Sequence, residues 1–250
     1  MSLKQQVCLS QKGSAFEELN FWRFRDCCTL KSDILNSPRH LVRTIHRPTL
    51  TRYRQASNSN ILNPHHLAIF STWMEKRNSY YKIHNNPHKF KTLYHQLLCD
   101  EFFFKSNIMD LETVHTSCNN AKTILIVAKV KDSDQLVGGF IPIRLRKPKD
   151  SVVGNRKSNS FSSTKESFIF FFTNCNDVKT GKFAYVTETK YAINYNDKCE
   201  IGFGRGHDLE CKSDGNWTST PTSYPSIGIP AVFKISQFEI FEVIRFFNGE

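Results

Sequence analysis

Apolar side chains alternate between two faces of the chain near its middle, in TILIVAKV at residues 123–130. One face carries Ile124, Ile126, Ala128 and Val130, and the other carries Leu125 and Val127. Because successive side chains of a β-strand point to opposite faces, this pattern predicts a strand with one fully buried face. KDSD at 131–134 is typical of a turn, and QLVGGFIPI at 135–143 predicts the returning strand. The sequence therefore predicts a β-hairpin, which favours an antiparallel sheet.

Three helices are expected between residue 60 and this hairpin. Asn63 followed by Pro64 is a typical helix start, and apolar residues follow at helical spacing: Leu67, Phe70, Trp73 and Met74. A second set shares one helical face and predicts an amphipathic helix: Phe90, Leu93, Tyr94, Leu97 and Leu98. Asp110 begins a shorter helix that carries Leu111 and Val114.

Strands are expected after the hairpin. ESFIFFF at 166–172, KFAYVTET at 182–189 and FEIFEVIRFF at 238–247 each combine strand length with a high content of aromatic and β-branched residues. The connections between these strands are too short for helical crossovers, so a doubly wound parallel sheet is disfavoured. Helices first and at least five strands later predict an α+β domain with antiparallel sheets covered by helices.

The basic charge of the chain is concentrated in two segments. The net charge is +11, from 34 Lys and Arg against 23 Asp and Glu. Residues 1–60 hold ten basic and four acidic side chains, residues 144–157 hold six and one, and the rest is balanced at 18 each. We therefore divide the chain into a basic, poorly structured segment at 1–59 and a domain at 60–250. The domain carries an exposed basic insertion at about 144–163.

Two interpretations of the basic segment stay open. In the first, it is a solvated tail; in the second, it binds an anionic partner such as nucleic acid or an acidic membrane surface. Ser37-Pro38 begins a short stretch in which Arg39, Arg43 and Arg47 share one helical stripe, so a short basic amphipathic helix is expected there.

Cysteine usage and the N-terminus indicate a cytoplasmic protein. The chain has eight Cys, and none of them forms a C-x-x-C pair, which argues against a zinc ribbon. The first residues lack the continuous apolar segment of a secretory signal, so a disulfide framework is not expected either. No apolar run approaches the length of about 18 residues that a membrane-spanning helix needs.

Two places in the sequence carry residue types that are found in catalytic sites. His115 lies three residues before Cys118, so a reactive thiol is one interpretation, but a buried, inert Cys at a helix end is favoured. His207-Asp208 has the residue types of a general base with its orienting carboxylate, but no nucleophile can be assigned to it. Asp208 is instead expected to cap the glycine-rich turn by accepting bonds from backbone N–H groups. No metal site and no cofactor are predicted, because the His residues lack ligand spacing.

Six segments, in order along the chain, resemble the TLDc domain found in oxidation-resistance proteins. They are FKTLYHQLLCDEF at 90–102, VHTSCNNAKTILIVAKVKDSDQLVGGFIPI at 114–143, TKESFIFFF at 164–172, AINY at 192–195, GFGRGHDL at 202–209 and FEIFEVI at 238–244. Together they extend over about residues 60–244, and the hairpin with its Gly138-Gly139 pair is the most specific part. The arrangement is most similar to fungal versions that follow BTB and BACK modules, so residues 1–59 are interpreted as a remnant of such an upstream region.

The resemblance implies a fold, a role and a kind of partner. The implied fold is a sandwich of two antiparallel β-sheets with flanking helices. The implied role is a non-catalytic interaction module in oxidative-stress protection, with the vacuolar proton pump (V-ATPase) as a partner. The expected binding loops contain Gly138, Gly139, Gly202, Gly204, Gly206, His207 and Asp208. The alternatives are a thiol enzyme that consumes an oxidant and binding of nucleic acid or an anionic surface through the basic segment.

Overall fold

Most of the regular secondary structure in the described residues is antiparallel β-sheet, as the alternating apolar pattern of the hairpin predicts. The structure is a computed structural model, and it describes residues 59–98, 111–145, 160–195, 201–212 and 216–246. The described residues contain two α-helices, α1 (Pro64–Met74) and α2 (Leu111–Cys118). All of the described residues belong to one of two units of the chain, Leu50–Glu250.

Eleven strands occur in the described ranges. They are β1 (His88–Leu97), β2 (Ile124–Val130), β3 (Leu136–Ile141), β4 (Ser160–Ser162), β5 (Phe168–Phe172), β6 (Gly181–Tyr185), β7 (Ile193–Tyr195), β8 (Ile201–Phe203), β9 (Leu209–Cys211), β10 (Asn216–Thr218) and β11 (Val232–Arg245). Short 3₁₀ helices lie at Ile83–Asn85, Val178–Thr180 and Thr189–Tyr191.

One long strand, β11, connects two groups of strands. Its first residues, Val232 to Lys234, pair with β10, and β10 is followed in the hydrogen-bonded order by β9, β8, β7 and β4. Its remaining residues pair with β1 on one side and β2 on the other, and β2 is followed by β3, β5 and β6. Every one of these pairings is antiparallel. The described chain is therefore mostly antiparallel sheet with two helices, which is compatible with an α+β, sandwich-like fold.

Apolar side chains of the described residues form two clusters on opposite faces of the β2–β3–β5 sheet. The first cluster combines one face of these strands with α2 and the short strands β7 to β10 and includes Ile126, Ile169, Phe203 and Trp217. The second cluster lies under α1 and includes Phe70, Trp73, Leu125, Phe168 and Phe170. Burial on both faces explains why β2 and β5 are apolar at almost every position.

The amphipathic helix predicted over 90–98 is wrong, because these residues form β1. The strand pairs with β11 along its length, from His88 opposite Arg245 to Leu97 opposite Gln237. A β-bulge between Thr92 and Tyr94 adds one residue and shifts the alternation of side chains. The apolar residues therefore do not share one buried face, because Phe90 packs in the second cluster, Leu93, Tyr94 and Leu98 pack against the first, and Leu97 is exposed. The expected order of helices before strands is wrong for the same reason, since β1 precedes α2.

The other predicted elements that fall on described residues are confirmed in full or in part. Both α1 and α2 form, and the hairpin of β2 and β3 turns at residues 131–134, where Asp132 has a positive φ of 54°. Strand β5 also forms where the pattern predicts it, and β11 includes the predicted segment but begins earlier, at Val232. Strand β6 ends at Tyr185, so the predicted strand over 182–189 is only half confirmed. Residues 1–58 and most of the basic insertion, 146–159, lie outside the described residues. At the end of the insertion, Ser160–Ser162 form β4 against β7 and are not an unpaired loop.

None of the helices in the described ranges has both the length and the apolar character that crossing a membrane requires.

The first turn of α1 is closed by a reciprocal cap. The Oδ1 atom of Asn63 accepts bonds from the backbone N–H groups of His65 at 3.0 Å and His66 at 3.1 Å, and Nδ1 of His66 accepts the Asn63 N–H at 3.2 Å. The imidazole of His66 is buried against the edge of the Phe172 ring. Burial, and then the neighbouring His65, lowers the pKa of His66 to about 4.

This lowered pKa predicts acid sensitivity of the fold. The unfolded chain binds a proton at residue 66 near pH 6.5, whereas the folded protein does so only near pH 4, so stability is lost as the pH falls between these values. At pH 5 the loss from this residue is about 2 kcal/mol. The free energy of urea unfolding, measured for the wild type and His66→Gln at pH 7 and pH 5, tests this expected loss. Gln keeps a cap acceptor and does not titrate.

We expect the variant to lose about 2 kcal/mol less than the wild type between the two pH values. Part of the acid sensitivity remains in the variant, because burial, and then the charge of Arg245, also lowers the pKa of His88 to about 4. An equal loss in both proteins would contradict the role of His66.

Candidate interaction site

The strands β8 and β9 are joined by a turn in which two backbone positions require unusual conformations. Gly204 has a φ of 78° and His207 has a φ of 61°. The left-handed region suits Gly and is uncommon for other residues, so the glycine at 204 meets a backbone requirement. A Cβ at 204 would also overlap the side chain of Asp208. The turn begins beside the short strand β7, where the Gly204 N–H donates to the Ala192 carbonyl at 3.1 Å.

Asp208 is fully buried, and its carboxylate holds a second loop against this turn. The Oδ1 atom accepts the backbone N–H groups of Thr222 at 2.6 Å, Ser223 at 2.7 Å and Tyr224 at 2.7 Å. The Oδ2 atom accepts the Thr222 hydroxyl at 2.8 Å. The sequence correctly predicts an Asp that accepts backbone N–H groups. However, the groups belong to residues 222–224 and not to the glycine-rich turn itself.

Three further bonds connect the turn to the same loop, two donated by the turn and one donated by the loop. The Arg205 N–H donates to Ser223 Oγ at 3.0 Å, and the Gly206 N–H donates to Thr222 Oγ1 at 3.0 Å. The Thr220 N–H donates to the His207 carbonyl at 3.1 Å. We call residues 204–208 and 219–224 together the double loop. Its two segments are held in one arrangement by at least seven polar contacts across them.

The base of the double loop is fixed to the core by Tyr224. Its hydroxyl lies 2.8 Å from both the Ala192 carbonyl oxygen and Ser167 Oγ, and Ser167 donates to the Phe140 carbonyl at 2.7 Å. The ring lies against Phe203. Burial raises the pKa of Tyr224 well above its usual value, so this phenol is neutral and acts as a structural contact.

Exposed basic side chains lie along the outer rim of the double loop, near the exposed carboxylate of Glu188. Arg205 is exposed, and its guanidinium lies 5.0 Å from the centroid of the Tyr191 ring, with the Lys190 ammonium 5.3 Å from the same centroid. Such cation–π contacts orient a charge without removing it from solvent. His207 Nδ1 lies 2.8 Å from a Glu210 carboxylate oxygen, so Glu210, and not Asp208, orients this imidazole. Thr220 and Pro221 complete the exposed rim.

Three of the expected binding residues do not lie in loops. Gly138 and Gly139 are in the middle of β3, buried between β2 and β5, and Gly202 is buried in β8. A Cβ at Gly138 would overlap the Ile126 carbonyl oxygen, and a Cβ at Gly139 would overlap the Phe203 ring. The prediction that Gly138-Gly139 forms a partner-binding loop is therefore wrong. These glycines allow close packing inside the sheet.

The structure thus brings together four of the seven predicted residues, namely Gly204, Gly206, His207 and Asp208. Sequence reasoning did not find the second half of the site, residues 219–224. A signal for it was present in TSTPTSY at 218–224, because a run of hydroxyl residues around a Pro supplies many groups that can bond to a carboxylate.

Two of the three described thiols, those of Cys118 and Cys211, are buried. Cys118 is buried in the first core cluster, and burial raises the pKa of its thiol to about 12. Because the thiolate is the reactive form, this position favours the interpretation of Cys118 as an inert packing residue. Cys211 is buried as well, and the half-buried Cys175 thiol lies 3.9 Å from a carboxylate oxygen of Asp134. The remaining Cys lie outside the described residues.

Within the described ranges, no group of three or more His, Cys, Asp or Glu side chains is arranged to hold a metal ion. A scan against protein-family models and a search of curated proteins found no match to the chain.

Proposed function

We propose that this chain is a non-catalytic interaction module of the TLDc type that binds a protein partner through the exposed rim of the double loop. The proposal depends on one observation: a buried carboxylate, Asp208, fixes two loops whose outer residues face solvent. A surface that is already ordered loses little conformational entropy when a partner binds to it. The buried bonds therefore have a role beyond stability, since they present Arg205 and its neighbours in one arrangement.

The polar groups of the double loop are used in structural bonds, which supports binding over catalysis. The Asp208 carboxylate accepts four bonds, and the Thr222 hydroxyl both donates to Asp208 and accepts from Gly206. Ser223 is buried, and its hydroxyl contacts Glu188 at 3.3 Å. A catalytic nucleophile needs an accessible oxygen or sulfur next to a free base. Neither Thr222 nor Ser223 meets this condition.

We also infer that the strands form the two packed sheets of a TLDc-like sandwich. Support comes from the first core cluster, which joins side chains of β2, β3 and β5 with those of β7 to β10. A second support is the close approach of Gly139 on β3 to Phe203 on β8. If the two groups of strands pack face to face, the double loop lies at one end of the sandwich, where loops of β-sandwiches usually carry binding residues.

The resemblance to TLDc domains indicates the partner and the setting. We propose that the partner is the vacuolar proton pump, that binding takes place in the cytoplasm, and that it contributes to oxidative-stress protection. The exposed Arg205 and Lys190 would face an acidic surface on the pump, because opposite charges favour encounter and correct orientation.

Binding to purified vacuolar proton pump, immobilised on a biosensor, tests this proposal. Reversing the charge in Arg205→Glu is expected to weaken binding about tenfold or more, because it replaces attraction by repulsion at the rim. Lys89→Glu is the matched control, since Lys89 is an exposed basic residue on β1. Thermal unfolding of both variants establishes that they fold like the wild type.

Two results would count against the proposal. If the wild type does not bind the pump, the partner is wrong. If Arg205→Glu and Lys89→Glu bind as tightly as the wild type, the double loop is not the binding surface.

A further inference from the structure

The strand β6 is the last strand at one end of the described hydrogen-bonded order, and its outer edge has no strand partner among the described residues. The Val186 N–H donates to the Ser167 carbonyl at 3.1 Å, in the same register that pairs Ala184 with Ile169 and Lys182 with Phe171. Since main-chain groups in an antiparallel pair alternate in direction, Lys182 and Ala184 bond toward β5. The N–H and C=O groups of Phe183 and Tyr185 and the C=O group of Gly181 therefore point away from β5, whereas the Gly181 N–H donates to the Val178 carbonyl.

The sequence of this edge, GKFAY at 181–185, is suited to antiparallel pairing with a second copy of itself. In an antiparallel pair centred on residue 183, Gly181 lies opposite Tyr185 of the other copy, Lys182 lies opposite Ala184, and Phe183 lies opposite Phe183. Small residues thus face large ones, and an aromatic ring covers the exposed backbone at the glycine, which is a favourable arrangement at sheet edges. No two like charges lie directly opposite each other.

From this self-complementarity we infer that β6 pairs with the β6 strand of a second copy of the chain, forming a symmetric dimer with a continuous sheet. Antiparallel pairing of an edge with itself has two-fold symmetry, so the contact closes after two copies. The outward main-chain groups of Phe183 would bond to the same groups in the partner, and the Tyr185 N–H of each copy would donate to the Gly181 carbonyl of the other.

The side chains around β6 support a second copy as the occupant. Phe183 is 37% exposed and stacks on Trp73, with 4.6 Å between the ring centroids. Tyr185 lies edge-on to Phe183, at 5.3 Å between ring centroids. A Phe183 of the partner would extend this row of rings and remove exposed apolar surface from water. A single Lys is a common protection of an edge strand, but here Lys182 would face Ala184 and would not block the pairing.

Sedimentation of the full chain over a wide range of concentration tests the inference. We expect the mass of the wild type to rise from that of one chain, 29.0 kDa, toward twice that value. Phe183→Lys places two positive charges opposite each other and is expected to weaken association about tenfold or more. Tyr80→Lys is the matched control, because Tyr80 is also an exposed aromatic residue, at 57%, and lies outside β6. The control should associate like the wild type.

A mixing experiment tests the register. Phe183→Lys and Phe183→Glu should each be monomeric alone, and an equal mixture should form a heterodimer, since residue 183 meets its own copy only in the inferred pairing. A wild type that stays at the mass of one chain overturns the inference, as does a mixture that does not associate while both variants are folded. If the variants fail to fold, hydrogen exchange of the wild type decides. Protection of the Phe183 and Tyr185 amides must then rise with protein concentration, and unchanged protection overturns the inference.

Discussion

Replacing Asp208 by Ala is expected to destabilise the fold by about 4 kcal/mol, because the change leaves the N–H groups of the 222–224 loop without an acceptor. The Ser223 and Tyr224 N–H groups are buried where they meet the carboxylate, so water cannot readily replace it. A buried donor that loses its acceptor costs about 1–3 kcal/mol, and Thr222 loses two bonds in addition.

The matched control is Asp208→Asn. All three backbone N–H groups donate to the same carboxylate oxygen, Oδ1, and an amide oxygen placed there would keep these bonds. The amide nitrogen would replace Oδ2 and could donate to the Thr222 hydroxyl. We therefore expect a loss of only about 1 kcal/mol for Asn. Urea unfolding at neutral pH measures both values. Equal losses for Ala and Asn would contradict the assigned geometry of the double loop.

A second large effect is expected from Gly139→Ala, which should destabilise the fold by about 3 kcal/mol. An added Cβ would lie 2.7 Å from Phe203 Cε1 and closer still to Cζ, and the Phe203 ring is itself fully buried. Close-packed interiors relax only partly around an added methyl group, so β3 and β8 would be pushed apart. Urea unfolding again gives the measurement.

Two further variants make this test specific. Gly202→Ala is the control, because Gly202 is also a glycine inside a strand, but an added Cβ there has ordinary contacts at 3.6 Å or more. We expect it to change stability by less than about 1 kcal/mol. Combining Gly139→Ala with Phe203→Leu should recover part of the loss, with a coupling of about 1 kcal/mol or more. Strictly additive effects would show that the two residues do not contact each other.

The elements that could be predicted from the sequence are those whose conformation depends mainly on residues close together in the chain. The hairpin of β2 and β3 could be predicted because its alternation extends over many residues and its turn is polar. The start of α1 could be predicted because Asn63 and Pro64 act within one turn of the helix. Strand β1 could not be predicted in this way, because its bulge interrupts the alternation of side chains that is typical of a strand. Its strand conformation depends on pairing with β11.

The features that could not be predicted depend on contacts between residues far apart in the chain. Strands β7 to β10 have only three residues each, too few for a periodic pattern, and they are strands because of their neighbours in the sheet. The chemistry of Asp208 was predictable from its type, but its partners lie 14 to 16 residues later in the chain. The role of Gly139 likewise depends on Phe203, which approaches it from another strand.

The position of β11 has a consequence for synthesis on the ribosome. This strand pairs with β1 and β2 as well as with β10. Among the described strands, β1 therefore finds its partner, and β2 a neighbour on the side away from β3, only after β11 has been translated. A nascent chain arrested earlier would leave apolar edges of β1 and β2 open to other proteins. We therefore expect this domain to acquire its native form late, as one step, and to rely on chaperones while it emerges.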